Sequence, residues 1–408
     1  MNISTITDGS ICSPMGFKAS GICAGLKQSN SPDMALLYSE VPAVTAGLLT
    51  SNIVTAAPVQ YCKKILNSND YTQAIIINSG NANACTGKSG YADTCKMASK
   101  TAEMLKIEDR NILVASTGRI GVPLPINIII PGIENAVKNL TSNGGHEAAK
   151  AIMTTDTYSK EIAVNFIIND RKITIGGMAK GAGMIAPNLK ELHATMLAFI
   201  TTDASISHSF LKAVLKNSTD NSFNCITVDG DMSTNDSLFA MANGLAGNEL
   251  LTEDNKNSKI FYNALEMVMC FLAKSIVRDG EGVTKLVNLK VINTKNKNDA
   301  ILCARAIANS LLCKTAWFGN DPNWGRIAAA AGYSGAIFNP DKLNIYYDSI
   351  PVLLNGMDSK IPEMKISKIL KQSEFSLVID LSSGKESHSL WTNDISYKYV
   401  EINADYHT

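Results

Sequence analysis

Short apolar runs alternate with stretches of helical periodicity along this chain. The runs at residues 74–78 and 111–115 are apolar and each stops at small polar residues, which is typical of buried strands. Between them, residues 91–107 carry apolar side chains at helical spacing, which predicts a helix. The alternation of such strands and helices predicts an α/β fold.

The same reading predicts further elements along the chain. Helices are predicted at residues 145–153, 259–277 and 299–312, with a helix of very small residues within 319–335. Strands are predicted at residues 161–168 and 172–175, paired through a turn at Asn169-Asp170, and at residues 223–228 and 397–402. A chain of 408 residues is too long for one ordinary core, so two domains or one large intertwined body are expected.

The net charge of the chain indicates what kind of molecule it binds. The chain has 37 basic and 37 acidic residues and a formal net charge of zero, which does not favour nucleic acid or an acidic membrane surface. A small-molecule partner is therefore expected. The amino terminus lacks the basic start and apolar core of a signal peptide, and no apolar run approaches the roughly 18 residues of a membrane span. These features predict a cytoplasmic protein.

Cysteine and histidine give no metal or disulfide pattern. The nine cysteines include no C-x-x-C pair, and none of the five histidines lies three to five residues from another. The acidic loop at residues 229–236 resembles a cation loop but lacks the rest of the EF-hand pattern. We therefore expect no metal.

Two loops could carry chemistry. Ser116-Thr117-Gly118 follows a predicted strand, where a hydroxyl and a glycine N–H could both face one oxygen, although most such tripeptides are turns. Glu281 stands between two glycines after the longest predicted helix. It could bind a substrate ammonium, or it could be a solvated loop charge.

The stretch at residues 180–204 is the most informative part of the chain. A glycine-rich loop leads to Ala194-Thr195, and an apolar run follows. If the peptide bond before Thr195 is cut, the new α-amino group lies within reach of the threonine hydroxyl and can act as its base. The alternative is a strand that happens to begin with threonine, which is common.

Many of these segments together resemble one family. In chain order they are NSGNANACTG, STGRIG, MTTDT, KGAGM, ATML with TTDA, DGDMSTND, DGEG, DPNWGRIAAAAGYSG and NADYHT. In this order they resemble the ornithine acetyltransferase family, also called glutamate N-acetyltransferase, over essentially the whole chain. The resemblance implies an α/β layered sandwich of mixed β-sheets and helices, with a self-processing fold like that of amino-terminal-nucleophile enzymes.

The resemblance also implies processing and assembly. The precursor would cut itself between Ala194 and Thr195 into an α chain of residues 1–194 and a β chain of residues 195–408. The two chains would share one intertwined α/β body with a smaller C-terminal lobe, in a heterotetramer of two α and two β chains.

The implied site and substrates follow the matching motifs. Thr195 would be the nucleophile, and Thr117 and Gly118 the oxyanion pair. The implied substrate-binding residues are Thr154, Thr155, Lys180, Thr195, Glu281, Asn403 and Thr408. The implied substrates are N2-acetylornithine and glutamate, with no cofactor, and Lys180 suits a carboxylate while Glu281 suits an ammonium. Some family members also use acetyl-CoA, and no residue decides between one activity and two.

One segment departs from the family pattern. Between Pro187 and Thr195 the chain has a longer connection than the usual P-N-M-A-T, and it includes His193. The extra length would fall at the new carboxyl terminus of the α chain, where a loop is tolerable. His193 could assist cleavage as a base, but we expect it to be a bystander because the motifs on both sides are intact.

Two alternatives to the transferase remain. An amino-terminal-nucleophile aminopeptidase or amidohydrolase would use the same kind of precursor and pass the acyl group to water. A non-catalytic binding protein would keep Thr195 for structure and remain one intact chain.

Overall fold

A computed structural model describes residues 3–186 and 196–405. The chain forms two compact units. Unit 1 comprises the described residues of Met1–Asn224 and Met232–Ile276. Unit 2 comprises Cys225–Asp231 and the described residues of Val277–His407.

Unit 1 is built on a mixed sheet that has nine strands among the described residues. The strands are β1 (Ser4–Thr5), β2 (Phe17–Ile22), β3 (Met34–Leu49), β4 (Tyr71–Asn81), β5 (Ile112–Arg119), β6 (Lys160–Ile168), β7 (Arg171–Lys180), β8 (Leu197–Thr202) and β9 (Ser237–Ala242). Their order is β1-β6-β7-β8-β9-β3-β4-β5, with β2 paired to β3. The pairs β4–β5 and β8–β9 are parallel, and the other pairs are antiparallel.

Helices cover this sheet because each presents an apolar face to it. They are α1 (Ala57–Ser68), α2 (Gly87–Leu105), α3 (Ile126–Lys138), α4 (Gly145–Ala151), α5 (His208–Asp220) and α6 (Ser258–Arg278). One continuous core joins β3, β4 and β5 to α1 through α4. On β7, Gly177 lets α6 approach closely, since a Cβ there would lie 2.9 Å from both Val268 and Leu272.

Helix α6 is the one described helix whose length and mean hydropathy of 1.5 would also suit a membrane span. The predicted apolar face of this helix is buried at Phe261, Leu265, Val268 and Leu272. Since 61% of its apolar window is buried inside the protein, the same composition also fits a helix packed in a core.

Unit 2 has a six-stranded mixed sheet within the part of the chain that is described. The elements are β10 (Leu286–Thr294), α7 (Lys297–Ala308), α8 (Leu311–Phe318), α9 (Trp324–Gly332), β11 (Asn344–Tyr347), β12 (Ile350–Leu354), β13 (Met357–Asp358), α10 (Glu363–Leu370), β14 (Glu374–Asp380), β15 (Glu386–Asn393) and α11 (Tyr397–Asp405). The strand order is β13-β12-β11-β14-β10-β15. The predicted α/β class, with mixed sheets layered against helices, is confirmed.

Three predicted elements are wrong. Residues 223–228 do not form a strand: Phe223–Cys225 is a turn of 3₁₀ helix, and Ile226 makes only an isolated bridge to Trp391. The predicted helix at residues 299–312 is two helices, because the Ser310 side chain accepts from Cys313 N at 3.3 Å and caps a new helix.

The predicted final strand at residues 397–402 is helix α11. A strand here would pack one face against the protein, but Tyr397 is 85% exposed and Val400 is 64% exposed. Without a buried face, residue types that favour strands do not decide the structure. The Ser396 hydroxyl instead accepts from Lys398 N at 3.2 Å at the start of the helix.

Strands β7 and β8 flank the predicted cut between Ala194 and Thr195. They pair antiparallel, with Lys180 opposite Leu197. Residues on both sides of position 194 therefore belong to one sheet, and the two compact units divide elsewhere.

Candidate active site

The carboxyl ends of β4 and β5 bring the predicted oxyanion residues together. Strand β5 continues through Ser116, Thr117 and Gly118, so the prediction that this tripeptide ends the strand is wrong. In the parallel register, Thr117 lies opposite Ser79 and Gly118 opposite Gly80. In the sheet order of the described residues β5 is the last strand, so no described strand pairs with its outer edge.

Glycine is required at position 118. Its φ is +129°, and a Cβ there would lie 2.3 Å from the carbonyl carbon of Gly80. The two strand ends can therefore approach this closely only because residue 118 has no side chain.

Replacing Gly118 with alanine is expected to lower the free energy of unfolding by about 2 to 4 kcal/mol, because it adds backbone strain and a clash with Gly80. The thermal midpoint of the purified protein measures this. Gly121→Ala is the matched control, since Gly121 has φ +79° and no neighbouring group lies within 4 Å of the position that a Cβ would take. Its destabilisation should be clearly smaller, and equal losses in the two variants would contradict the proposed close packing at Gly118.

Buried amides fix the end of β5. The Ser116 hydroxyl donates to Asn78 Oδ1 at 2.6 Å, and Asn78 Nδ2 donates to Asn81 O at 2.8 Å. Asn235 Nδ2 donates to Ser116 O at 2.8 Å and to Ala82 O at 2.5 Å. The polar segment from residue 78 onward therefore shapes the strand end, and Asn235 is a supporting residue that sequence reasoning missed.

Lys180 ends β7 and reaches the same place. It is 8% exposed, and its Nζ donates to Thr117 Oγ1 at 3.3 Å. Because an ammonium group can only donate, the Thr117 oxygen is the acceptor and its own proton is left for another partner. Lys180 is thus brought together with Thr117 and its neighbour Gly118, which lie far from it in sequence.

Sequence reasoning missed a buried carboxylate, that of Asp156, beside the end of β7. Asp156 Oδ1 accepts from Lys160 Nζ at 2.6 Å and from Gly181 N at 2.7 Å, and Oδ2 accepts from Thr154 N at 2.9 Å. The half-buried Thr154 and Thr155 precede it. Asp156 lies in the MTTDT segment, from which sequence reasoning selected only Thr154 and Thr155.

The charge of Asp156 is stabilised inside the protein. Burial opposes ionisation, but Lys180 and then Lys160 outweigh it and lower the pKa of Asp156 to about 2. The carboxylate is therefore ionised at any working pH. Protonation would remove its ion pairs only as the pH falls from about 4 toward about 2.

Ala194, Thr195, His193 and Thr408 lie outside the described residues. Met196, which follows Thr195, accepts from Ser237 N at 2.8 Å through its carbonyl. Thus β8 is in register with β7 and β9 directly after the predicted nucleophile.

In unit 2, Glu281 and Asn403 are brought together. Asn403 Nδ2 donates to Glu281 Oε2 at 2.7 Å, and Glu281 is only 8% exposed. The reading of Glu281 as a solvated loop charge is therefore wrong. Gly282, with φ +68°, allows this approach, since a Cβ there would lie 2.7 Å from Lys398 Cβ of α11.

Strand β15 holds the loop that carries Glu281. Asp394 Oδ1 accepts from Thr284 N at 2.9 Å and from Lys285 N at 3.0 Å. Behind it, the fully buried Lys314 donates to Asn393 O at 2.7 Å. Burial lowers the pKa of Lys314 to about 7, against the attraction of Asp229 and Asp394.

Carboxylates also surround the phenol of Tyr399 on α11. Burial first, and then Asp229, Glu281 and Asp231, raise the pKa of Tyr399. The phenol donates to Asp229 Oδ2 at 3.4 Å. Among the described residues, no group of three or more His, Cys, Asp or Glu side chains is placed to hold a metal ion.

Comparison with known proteins identifies the family. A family model described as the ArgJ family matches residues 18–408. The chain belongs to the ArgJ family. The predicted resemblance to the ornithine acetyltransferases is thereby confirmed.

Relatives in this family align along their full length. The arginine biosynthesis bifunctional protein ArgJ of Caldanaerobacter subterraneus subsp. tengcongensis is 48% identical over 411 residues, covering 99% of this chain and 100% of the relative. The protein of the same name from Dehalococcoides mccartyi is 48% identical over 409 residues, covering 100% and 99%. A crystal structure of the Mycobacterium tuberculosis ornithine acetyltransferase complexed with ornithine is 40% identical, covers 46% of this chain and 100% of that chain, and has a TM-score of 0.44.

Proposed function

We propose that this protein transfers the acetyl group of N2-acetylornithine to glutamate through an acetyl-threonine on Thr195. The chain is an acetyltransferase of arginine biosynthesis, as its membership of the ArgJ family and its full-length relatives indicate. The observation that carries the mechanism is the contact of buried Lys180 with Thr117 on β5, the last strand in the described sheet order.

Self-cleavage supplies the nucleophile. The Thr195 hydroxyl attacks the Ala194 carbonyl, and water hydrolyses the resulting ester to give an α chain of residues 1–194 and a β chain of residues 195–408. The register supports this proposal, because β8 begins opposite Lys180 only two residues after Thr195. The freed α-amino group, with a reference pKa of about 7.7 to 8.0, can take the hydroxyl proton near neutral pH.

Acetyl transfer then runs in two displacements. Thr195 Oγ attacks the acetyl carbonyl of N2-acetylornithine while its proton passes to the α-amino group. The Thr117 hydroxyl and the Gly118 N–H donate to the oxyanion. The C–N bond breaks, and ornithine leaves with that proton. The glutamate amine attacks the acetyl ester in turn, giving N-acetylglutamate and free Thr195.

The charges of the proposed binding residues assign the substrate groups. Lys180 with Thr154 and Thr155 suits a substrate carboxylate. Glu281 with Asn403 suits the ornithine ammonium, because a buried carboxylate favours a cation. Thr195 and Thr408 complete the proposed set. No cofactor is required, since the acetyl group moves from amide to ester to amide.

Three further proposals follow the family resemblance. The protein also uses acetyl-CoA to acetylate glutamate, it assembles as two α and two β chains, and it works in the cytoplasm. The family relatives named as bifunctional support the first of these.

The transferase is tested by incubating the purified protein with N2-acetylornithine, with and without glutamate. We expect ornithine release to depend on glutamate and to match the N-acetylglutamate formed. Equal release without glutamate would support the hydrolase alternative. A fully intact chain without either reaction would support the binding protein. Acetylglutamate formed from acetyl-CoA and glutamate measures the second activity.

A further inference from the structure

The loop at residues 24–33 is held against the end of β4. The buried carboxylate of Asp33 accepts from the backbone N–H groups of residues 24–27 at 2.6 to 3.1 Å. The backbone carbonyl of Asp33 accepts from Ser79 N at 2.8 Å. Lys27 therefore lies on a fixed segment beside the end of β4, which pairs with the proposed oxyanion residues of β5.

The side chain of Lys27 packs against Gly80 and ends at the proposed carboxylate site. A Cβ on Gly80 would lie 3.4 Å from Lys27 Cγ. Lys27 Nζ donates to Pro32 O at 2.7 Å and to Met153 O at 2.8 Å. Met153 O belongs to the peptide group that continues into Thr154, a proposed substrate contact. The ammonium group therefore lies one peptide group from a residue proposed to bind a carboxylate.

One hydrogen of this ammonium group is left for a ligand. An ammonium group has three hydrogens, and the contacts with Pro32 and Met153 use two of them. Lys27 Nζ makes no ion pair with a carboxylate in the described part of the chain, and the Asp33 oxygens are engaged by backbone N–H groups. Since Lys27 is only half-buried, a ligand can reach it.

A second cation acts on the same region. Burial lowers the pKa of Lys27, and the charge of Lys180 lowers it further. The carboxylates of Asp33 and Asp156 oppose this shift. The influence of Lys180 on Lys27 means that the two ammonium groups lie near one another. Two neighbouring cations suit a substrate that has two carboxylates.

The two proposed substrates differ in the charge of their side chains. The ornithine side chain carries an ammonium group, whereas the glutamate side chain carries a second carboxylate. Glu281, which suits the ornithine ammonium, would repel this carboxylate. Glutamate therefore needs a cation for its side chain in addition to the one that receives its α-carboxylate.

We propose that Lys27 binds the side-chain carboxylate of glutamate and thereby selects glutamate as the acetyl acceptor, while Lys180 receives the α-carboxylate that both substrates share. The contact is a charge-assisted hydrogen bond from the third hydrogen of Lys27 Nζ. The inference rests on the proposed function, because it assigns one group of the proposed acceptor to the same site.

The two displacements can be measured separately. In a double displacement, kcat/KM for N2-acetylornithine reports only the acetylation of Thr195, and kcat/KM for glutamate reports only the second step. Lys27→Met keeps an unbranched side chain of similar length but removes the ammonium group. We expect kcat/KM for glutamate to fall by about tenfold to a hundredfold, the usual cost of one hydrogen bond to a charged group. The value for N2-acetylornithine should change far less.

Glutamine is the matched acceptor, because an amide replaces only the side-chain carboxylate. The wild-type protein should prefer glutamate to glutamine, and Lys27→Met should lose most of this preference. Ser79→Ala is the control for a structural effect. It removes the hydrogen bond from Ser79 Oγ to Ala151 O, which is 2.6 Å long, at the same end of β4. Because this variant keeps the ammonium group of Lys27, its preference should equal that of the wild type.

The thermal midpoint shows whether each variant is folded. If Lys27→Met does not fold, Lys27→Gln takes its place, because its amide can donate to both carbonyl groups without a charge. A folded Lys27 variant that keeps the wild-type preference would overturn the inference, as would equal losses of kcat/KM for both substrates.

The controls can overturn the inference as well. The same loss of preference in Ser79→Ala would assign a structural role to this end of β4. A wild-type protein that acetylates glutamine as readily as glutamate would show that the side-chain carboxylate is not recognised. The proposed function fails separately: a wild-type protein that transfers no acetyl group from N2-acetylornithine to either acceptor would refute the transferase itself.

Discussion

Replacing Thr195 with alanine is expected to leave one intact chain of 408 residues without acetyl transfer. The hydroxyl is needed twice, first to attack the Ala194 carbonyl and then to carry the acetyl group. Its removal should therefore abolish both steps together rather than slow one of them. Mass spectrometry of the purified protein measures the cut, and ornithine release measures the transfer.

The matched control is His193→Ala, which changes the other side chain beside the cut that could act as a base. It should still give chains of residues 1–194 and 195–408 and retain activity. Thr195→Ser keeps a hydroxyl and should retain partial cleavage. Transfer by the Thr195→Ala protein would exclude Thr195 as the nucleophile, and loss of cleavage in His193→Ala would show that His193 is the base.

Replacing Thr117 with alanine is expected to lower kcat for acetyl transfer by about 10² to 10³, the usual cost of losing one oxyanion donor. Lys180 donates to the Thr117 oxygen, so the hydroxyl proton is directed toward another acceptor. The KM for N2-acetylornithine should change less than kcat, because the oxyanion exists only along the reaction path. Steady-state kinetics of ornithine release measure both.

Thr117→Ser is the control for this prediction. Serine keeps the hydroxyl and loses only a methyl group, so it should recover most of kcat. If serine is as slow as alanine, the methyl group and its packing matter, and the oxyanion role is wrong. An alanine variant with normal kcat would assign the oxyanion to Gly118 and other donors.

Local pattern predicted the elements that have a buried face. The strand at residues 74–78 was found because a short apolar run stops at small polar residues, and the helix at residues 259–277 because its apolar residues recur at helical spacing. The pair of strands joined at Asn169-Asp170 was found because Asn and Asp favour turns, and in the structure both residues have the positive φ of a tight hairpin turn. Here the sequence pattern and the tertiary burial agree.

The sequence pattern failed to predict elements whose secondary structure depends on packing or on a helix cap. The predicted strand at residues 397–402 is a helix in which Tyr397 and Val400 are exposed, so these residues do not form the buried face of a strand. The predicted helix at residues 299–312 is interrupted because Ser310 caps a second helix. A serine in an apolar segment can be a cap or an ordinary helix residue, and local sequence does not distinguish the two.

The sequence by itself determined the family and the α/β class, and it predicted the chemical types of the site: a threonine nucleophile, an oxyanion pair, one cation and one anion. The order of the motifs along the chain is enough for these conclusions, because each motif contains the residue types that the family resemblance requires at its place. Only the tertiary structure placed Lys180 against Thr117, put Asn403 on Glu281 and revealed Asp156 among buried lysines. These contacts join residues distant in sequence, and burial sets the strength of their charges, so neither distance nor electrostatics can be read from the order of residues alone.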